Sequence, residues 1–212
     1  MLTEVVHKLR GLEWRIWGRR LGWGRRYEGS SWSQSYADGK WDFMRSPEES
    51  QRYSALASCC LRGPQPSILD IACGEGILLD HFQKMGFAPA RYLGLDIAST
   101  AIDKARVLHP EFLFEVADAE TYKPEARFDV IVLNECLYYF RRPLKVLRTL
   151  ETGLADGGVF VVSTYHPANA AQRYRRYWDN LTAQYECIQH QAITNSKDIT
   201  WNIGVFRPRG AT

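Results

Sequence analysis

The sequence predicts an α/β fold, an open sheet doubly wound by helices, and three observations carry that expectation. The first is the stretch Ser67-Ile68-Leu69-Asp70-Ile71-Ala72-Cys73-Gly74-Glu75-Gly76. Its aliphatic residues suit a buried strand and its small residues a tight turn, after which Ile77, Leu78, Leu79, Phe82 and Met85 fall on one face of a helix. The second is that three further apolar runs finish on an acid or amide: Arg91–Asp96, Phe112–Ala119 with Asp118, and Phe128–Glu135 with Asn134. The third is that helix-periodic segments separate the runs. Strand–helix–strand units of this kind collect their polar strand ends along one edge of the sheet.

In chain order, residues 1–26 carry seven Lys or Arg against Glu4 and Glu13, a net of +5, whereas the whole chain of 212 residues is only +3. Trp14, Trp17 and Trp23 are threaded among those arginines. Such a segment suits peripheral contact with an anionic membrane or a grip on a phosphorylated substrate. A solvated helix whose tryptophans pack on the core or on a sister subunit explains it as well. Residues 27–66 form a second unit. The aromatic, turn-forming segment Tyr36–Phe43 leads into a helix opened by Pro47, Glu48 and Glu49, which runs towards Cys60 and stops near Gly63-Pro64.

The sheet domain spans residues 67–212. Within it Ser99 can cap a helix bearing Ile102, Ala105 and Val107. Pro143 opens another, with Leu144, Leu147, Leu150 and Leu154 turned inward. Ala155–Gly158 then turns into a strand over Val159–Ser163. A hairpin follows: a run from Tyr185 to Ile193, a turn at Thr194–Lys197, and the alternating Ile199, Trp201, Ile203 and Val205.

Composition sets bounds on the class. Hydrophobic content of 45% and charged content of 24% suit a globular domain with one good core. No apolar run is long enough to span a bilayer, and the N-terminus lacks the apolar core of a secretory signal. Five cysteines without C-x-x-C spacing read as reduced thiols, so the expected compartment is the cytoplasm and no metal site is expected. No nucleic-acid-reading motif accompanies the basic segment. The expected assembly is a monomer or homodimer.

The glycine loop narrows the ligand. A dinucleotide site wants G-x-G-x-x-G, and Leu79 stands where the third glycine belongs, which disfavours an NAD(P)-dependent oxidoreductase. No Walker-type lysine follows the loop. Asp70 ahead of the small residues suits a ligand with a cationic amino group. Asp96, twenty positions past Gly76, falls where a carboxylate takes ribose hydroxyls. Together these residues resemble motif I and its acidic partner in the Rossmann-like class I S-adenosylmethionine methyltransferases, with Ala72 in place of the usual first glycine. Leu133–Phe140 further resembles the E-x-L-Y-Y segment of nodulation-type N-methyltransferases. The resemblance covers roughly residues 36–206.

That resemblance implies a seven-stranded sheet with an antiparallel last strand. It implies S-adenosylmethionine as cofactor, leaving as S-adenosylhomocysteine. It assigns Asp70, Ala72, Cys73, Gly74, Gly76, Asp96, Ile97, Asp118, Ala119 and Asn134 to the cofactor, Asp118 at the adenine amino group. Tyr36 and Trp41 are then candidates for the cover over it, with core packing as the other reading. Methyl transfer to an amine needs the neutral amine, whereas a hydroxyl gains from a general base. His166, after the fifth strand, and Glu135, after the fourth, are the candidates. A hydrogen-bonded loop histidine and an acid that only orients its neighbours are the alternatives. Tyr138 and Tyr139 are candidate pocket walls. Arg173 and Arg176, alternating with Tyr174, Tyr177 and Trp178, suit a glycan or another anionic acceptor. The activity expected is methyl transfer to a hydroxyl or amine of a small molecule or glycan. A catalytically silent subunit of the same fold is the alternative.

Overall fold

The computed structural model describes residues 28–165 and 171–210. Two helices open it: α1 (Gly29–Ala37) and, beyond a short 3-10 turn over Asp42–Arg45, α2 (Pro47–Cys59). Five strands and their helices follow: β1 (Ser67–Ile71), α3 (Ile77–Lys84), β2 (Arg91–Asp96), α4 (Ser99–Leu108), β3 (Leu113–Val116), β4 (Phe128–Asn134), α5 (Pro143–Glu151) and β5 (Leu154–Tyr165). The chain closes with α6 (Ala171–Gln184), β6 (Tyr185–Thr194) and β7 (Thr200–Pro208). The sheet has seven strands in the order β3-β2-β1-β4-β5-β7-β6. The first five strands pair in parallel, and β7 lies antiparallel between β5 and β6. The order reverses at β1, between β2 and β4, and ligands of open α/β sheets bind at such a switch point.

Alternation along each strand divides the core. Ile68, Val130, Val132 and Val161 face a layer with Leu56 and Ala57 of α2, Leu78 and Phe82 of α3 and Ile102 of α4. Leu69, Ile131, Leu133 and Phe160 face the other layer, with Leu147 and Leu150 of α5 and Leu181 of α6. Burying each such side chain stabilises the fold by about 1.5–3 kcal/mol, which makes these two layers the main source of its stability.

Several local expectations are corrected. Ser99 is the first helical residue of α4, not its cap. Ala98 stands at the cap position without a side-chain cap bond, and its own N–H donates to Asp96 Oδ1 at 2.8 Å. Val107 is exposed, because two positions beyond buried Ala105 a helix has turned its side chain outward. Met85 lies past the end of α3 and is also exposed. Leu154 belongs to β5 rather than α5. Strand pairing with Phe128 starts there and resumes at Val130↔Val159 after a register shift, so Ala155–Gly158 forms an irregularity within one long strand. Strand β3 ends at Val116, and Asp118 follows it. Residues 1–26, His166 and the side chains of Arg173 and Arg176 lie outside the described residues. No helix among the described residues is long and apolar enough to cross a membrane.

Candidate active site

A cavity of about 370 Å³ opens at the carboxyl edge of β1, β2 and β4 and is covered by residues of α1, the 3-10 turn and α2. Of the residues expected to bind cofactor, Asp70, Ala72, Cys73, Gly74, Asp96, Ile97, Asp118, Ala119, Asn134, Tyr36 and Trp41 all line it. Gly76 does not. It caps α3 with φ 76°, and a Cβ there would lie 2.9 Å from the His109 ring, so its constraint is backbone geometry and packing.

The loop after β1 bends sharply. Ala72 and Gly74 take φ of 58° and 57°, a left-handed conformation that costs alanine about 1–2 kcal/mol. Asp96 braces the bend: its Oδ2 accepts the Gly74 N–H at 2.9 Å. Burial raises the Asp96 pKa, while the Ala98, Gly74 and Ile97 amides oppose the rise. Tyr36 lies against the loop, its Oη 2.7 Å from where a Gly74 Cβ would stand.

Asp70 is the most exacting group in the cavity. It is 2% exposed, and its Oδ2 accepts the Tyr92 hydroxyl at 2.7 Å. Oδ1 is buried with no hydrogen-bond partner. Burial pushes its pKa up to about 7; the Tyr92 bond counters this and the neighbouring Asp96 adds to it. A buried acceptor left unpaired costs about 1–3 kcal/mol, and a cationic donor from a ligand would satisfy it.

Glu135 also lines the cavity, held at φ 55° just beyond β4. Its Oε1 accepts the Ser163 hydroxyl, and Oε2 accepts the Tyr138 hydroxyl at 2.8 Å and the Tyr165 N–H at 2.7 Å. Burial raises its pKa, against Arg52 and those hydrogen bonds. Three donors thus engage one carboxylate. Tyr138 and Tyr139 both line the cavity with ring centroids 4.6 Å apart, and Tyr139 meets Trp32 edge-on at 4.9 Å. Trp41 stacks on Trp32 at 5.4 Å, and its indole Nε1 is buried without a partner.

Sequence reading missed a buried pair on α2. Arg52 is 3% exposed, and its Nε and Nη2 donate to Glu49 Oε2 at 3.0 and 2.8 Å. Nη1 donates to Asn134 Oδ1 at 2.7 Å. The guanidinium lies over the Tyr53 and Trp201 rings, 4.2 and 5.3 Å from their centroids. Burial opposes its charge, but Tyr53, Glu135 and Glu49 outweigh that and hold it protonated. A second polar group ties the cover to the loop: Lys104 Nζ donates to the Tyr36 carbonyl at 3.1 Å and to Glu75 Oε1 at 2.8 Å. Around the whole cavity seven carboxylates stand against Arg52, and among the described residues no histidine lines it.

A family model described as a methyltransferase domain matches residues 41–204. The chain belongs to that methyltransferase family. Trans-aconitate 2-methyltransferase of Methylobacterium radiotolerans is 32% identical over 136 residues, covering 63% of this chain and 51% of that protein. Nodulation protein S of Rhizobium tropici is 27% identical over 153 residues, covering 69% and 61%. This methyltransferase chain spans about half the length of several of the curated relatives it matches. The crystal structure of the N-methyltransferase NodS from Bradyrhizobium japonicum with S-adenosylhomocysteine superposes with a TM-score of 0.72 at 20% identity, over 85% of this chain and 97% of that one. The family and the seven-stranded sheet with antiparallel β7 expected from the sequence are thus borne out. The cofactor class expected agrees with the nucleoside held by that NodS structure. The cavity also fits the group on its own terms: an unpaired buried acid for an ammonium, Asp96 at the end of β2 and Asp118 just after β3.

Proposed function

We propose that this chain transfers a methyl group from S-adenosylmethionine to an amine or hydroxyl of a small molecule or of the end of a glycan. The observation that carries the reading is the unpartnered Asp70 Oδ1, buried beneath the glycine loop at the switch point of the sheet. In this reading Asp70 meets the ammonium of the cofactor, Asp96 its ribose and Asp118 its adenine, while residues 27–66 act as a cover through Tyr36 and Trp41. Bound there, the cofactor supplies a sulfonium-activated methyl that an acceptor lone pair can attack in line. The protein's own part is to hold the acceptor near contact, with water excluded by the aromatic wall of Trp32, Trp41, Tyr138 and Tyr139.

The acidic lining supports a neutral or cationic acceptor over the anionic one also expected from Arg173 and Arg176. With Glu135 engaged by three donors, an amine that arrives neutral needs no further base, and His166 stays the candidate base for a hydroxyl. Calorimetry on the full chain with S-adenosylmethionine, S-adenosylhomocysteine, NAD and NADP tests the proposal. Saturable binding of the first two and none of the dinucleotides is expected; the reverse pattern sinks it.

A further inference from the structure

We infer that Arg52 is a positioning residue of the acceptor end, turning the Asn134 amide so that its N–H donors serve the cavity and holding Glu135 as the carboxylate that anchors Tyr138. Only the phrase "acceptor end" rests on the methyltransferase reading. The rest follows from donor and acceptor chemistry. A guanidinium has donors and no acceptor, so the Asn134 atom 2.7 Å from Nη1 must be Oδ1. The Nδ2 donors of that amide are then left for the cavity that Asn134 lines. An unlocked amide would rotate and offer either atom; Arg52 removes that freedom.

The second effect is electrostatic. Glu135 shares the cavity wall with Arg52 and Glu49 of α2 and with Cys136 of its own segment, and it accepts hydrogen bonds from Tyr138 beside it and from Ser163 and Tyr165 of β5. Arg52 is the one cation in that set. It opposes the burial that raises the Glu135 pKa, and an ionised Glu135 accepts from Tyr138, Ser163 and the Tyr165 amide at once, which a protonated acid could not do fully. Arg52 is itself immobilised by Glu49 and by the Tyr53 and Trp201 rings, so the whole acceptor end is set from α2. Lysine has the charge without the planar fork, and this separates the two effects.

The test follows the Glu135 carboxyl by carbon NMR titration and the Asn134 side-chain amide by nitrogen NMR, in the full chain and its Arg52→Gln and Arg52→Lys variants. In Arg52→Gln the Glu135 midpoint should rise by about one pH unit or more, and the Asn134 amide should shift towards its free, rapidly exchanging signal. In Arg52→Lys the midpoint should stay within about half a unit while the Asn134 amide is released in the same way. An unmoved Glu135 midpoint in Arg52→Gln, or an Asn134 amide unchanged in Arg52→Lys, overturns the inference. If Arg52→Gln does not fold, Arg52→Lys decides through the Asn134 signal. S-adenosylhomocysteine serves as the probe of the other end, since this inference moves Asn134 from the set expected to hold the cofactor to the acceptor end. Its Kd should change by less than about threefold in Arg52→Lys, and a loss of about tenfold or more would move Arg52 to the cofactor and overturn the assignment. No binding to the wild-type chain would instead count against the proposed function, leaving the two NMR signals to judge Arg52.

Discussion

Replacing Asp70 with asparagine should stabilise the protein at alkaline pH while weakening its hold on the cofactor. The Asp70 carboxyl, 2% exposed, has its pKa pushed by burial from the ordinary 3.8 up to about 7. Between those values the native chain keeps a proton that the unfolded chain has released, so stability falls as pH rises through that window and levels off above it. At about 1.4 kcal/mol per pH unit, the gap amounts to about 4 kcal/mol at pH 8. Asparagine carries no such penalty and can still accept the Tyr92 hydroxyl. Its amide N–H groups, set where Oδ1 lies unpaired, return about 1–2 kcal/mol of that gain. Asp70→Asn should therefore be more stable than wild type by about 2–3 kcal/mol at pH 8 and less stable by about 1 kcal/mol near pH 4, where the linkage gain has vanished and the amide cost remains. Urea unfolding of both proteins at the two pH values measures this, and Glu135, whose burial acts in the same direction, cancels in the difference. An equal difference at both pH values, or a variant less stable at pH 8, would refute the reasoning. The wild-type affinity for S-adenosylmethionine should also rise between pH 6 and 8, since the ammonium needs the ionised acid. Under the proposed function the destabilising carboxylate is kept for its ligand, a trade of stability for function.

Asp96→Ala removes the acceptor of the Gly74 and Ala98 amides, so unfolding should show a loss of about 2–4 kcal/mol and calorimetry a fall of about tenfold or more in affinity for S-adenosylhomocysteine. Unchanged affinity would take Asp96 out of the site. Ala72→Gly relieves a left-handed alanine at φ 58° but adds chain entropy to the unfolded state, so thermal unfolding should show a net gain of about 0–1 kcal/mol. A clear loss would mean that the alanine methyl packs usefully. His166→Ala should slow turnover of a hydroxyl acceptor while leaving affinity for S-adenosylhomocysteine nearly unchanged; unaltered turnover once an acceptor is found would remove the histidine as base.

What was legible in the sequence was local or repeated. The run Ser67–Gly76 reads as strand, turn and helix because its period changes within a few residues, and Asp96 reads as a ligand group because its spacing from Gly76 is set by one strand–helix–strand unit. What was illegible depended on which neighbour reached a hydrogen-bonding group first. Ser99 is a good cap by composition, yet the Ala98 carbonyl takes the Ala101 and Ile102 amides and the helix starts one residue earlier, with Ser99 inside its first turn. Glu135 reads equally as base or orienting acid, and its sequence gives no sign of the Ser163, Tyr138 and Tyr165 donors that engage it.

Arg52 shows where a signal was present and passed over. Positions 49, 52, 53, 56 and 57 share the inward stripe of α2, and two of them are Glu49 and Arg52, opposite charges one helical turn apart. A charged pair on the apolar stripe of an amphipathic helix is costly unless it is hydrogen-bonded, so its presence there already asks for a third partner. The pattern could have pointed to a buried polar site walled by α2. It could not have named Asn134, eighty-two positions away, because that contact exists only once β4 and α2 meet across the edge of the sheet. Motifs therefore locate the half of the cavity built by consecutive strand ends, whereas the half built by α2 needs the fold itself. In this chain the first half is the proposed cofactor site and the second is the proposed acceptor site, so knowledge of its family reaches the chemistry before it reaches the substrate.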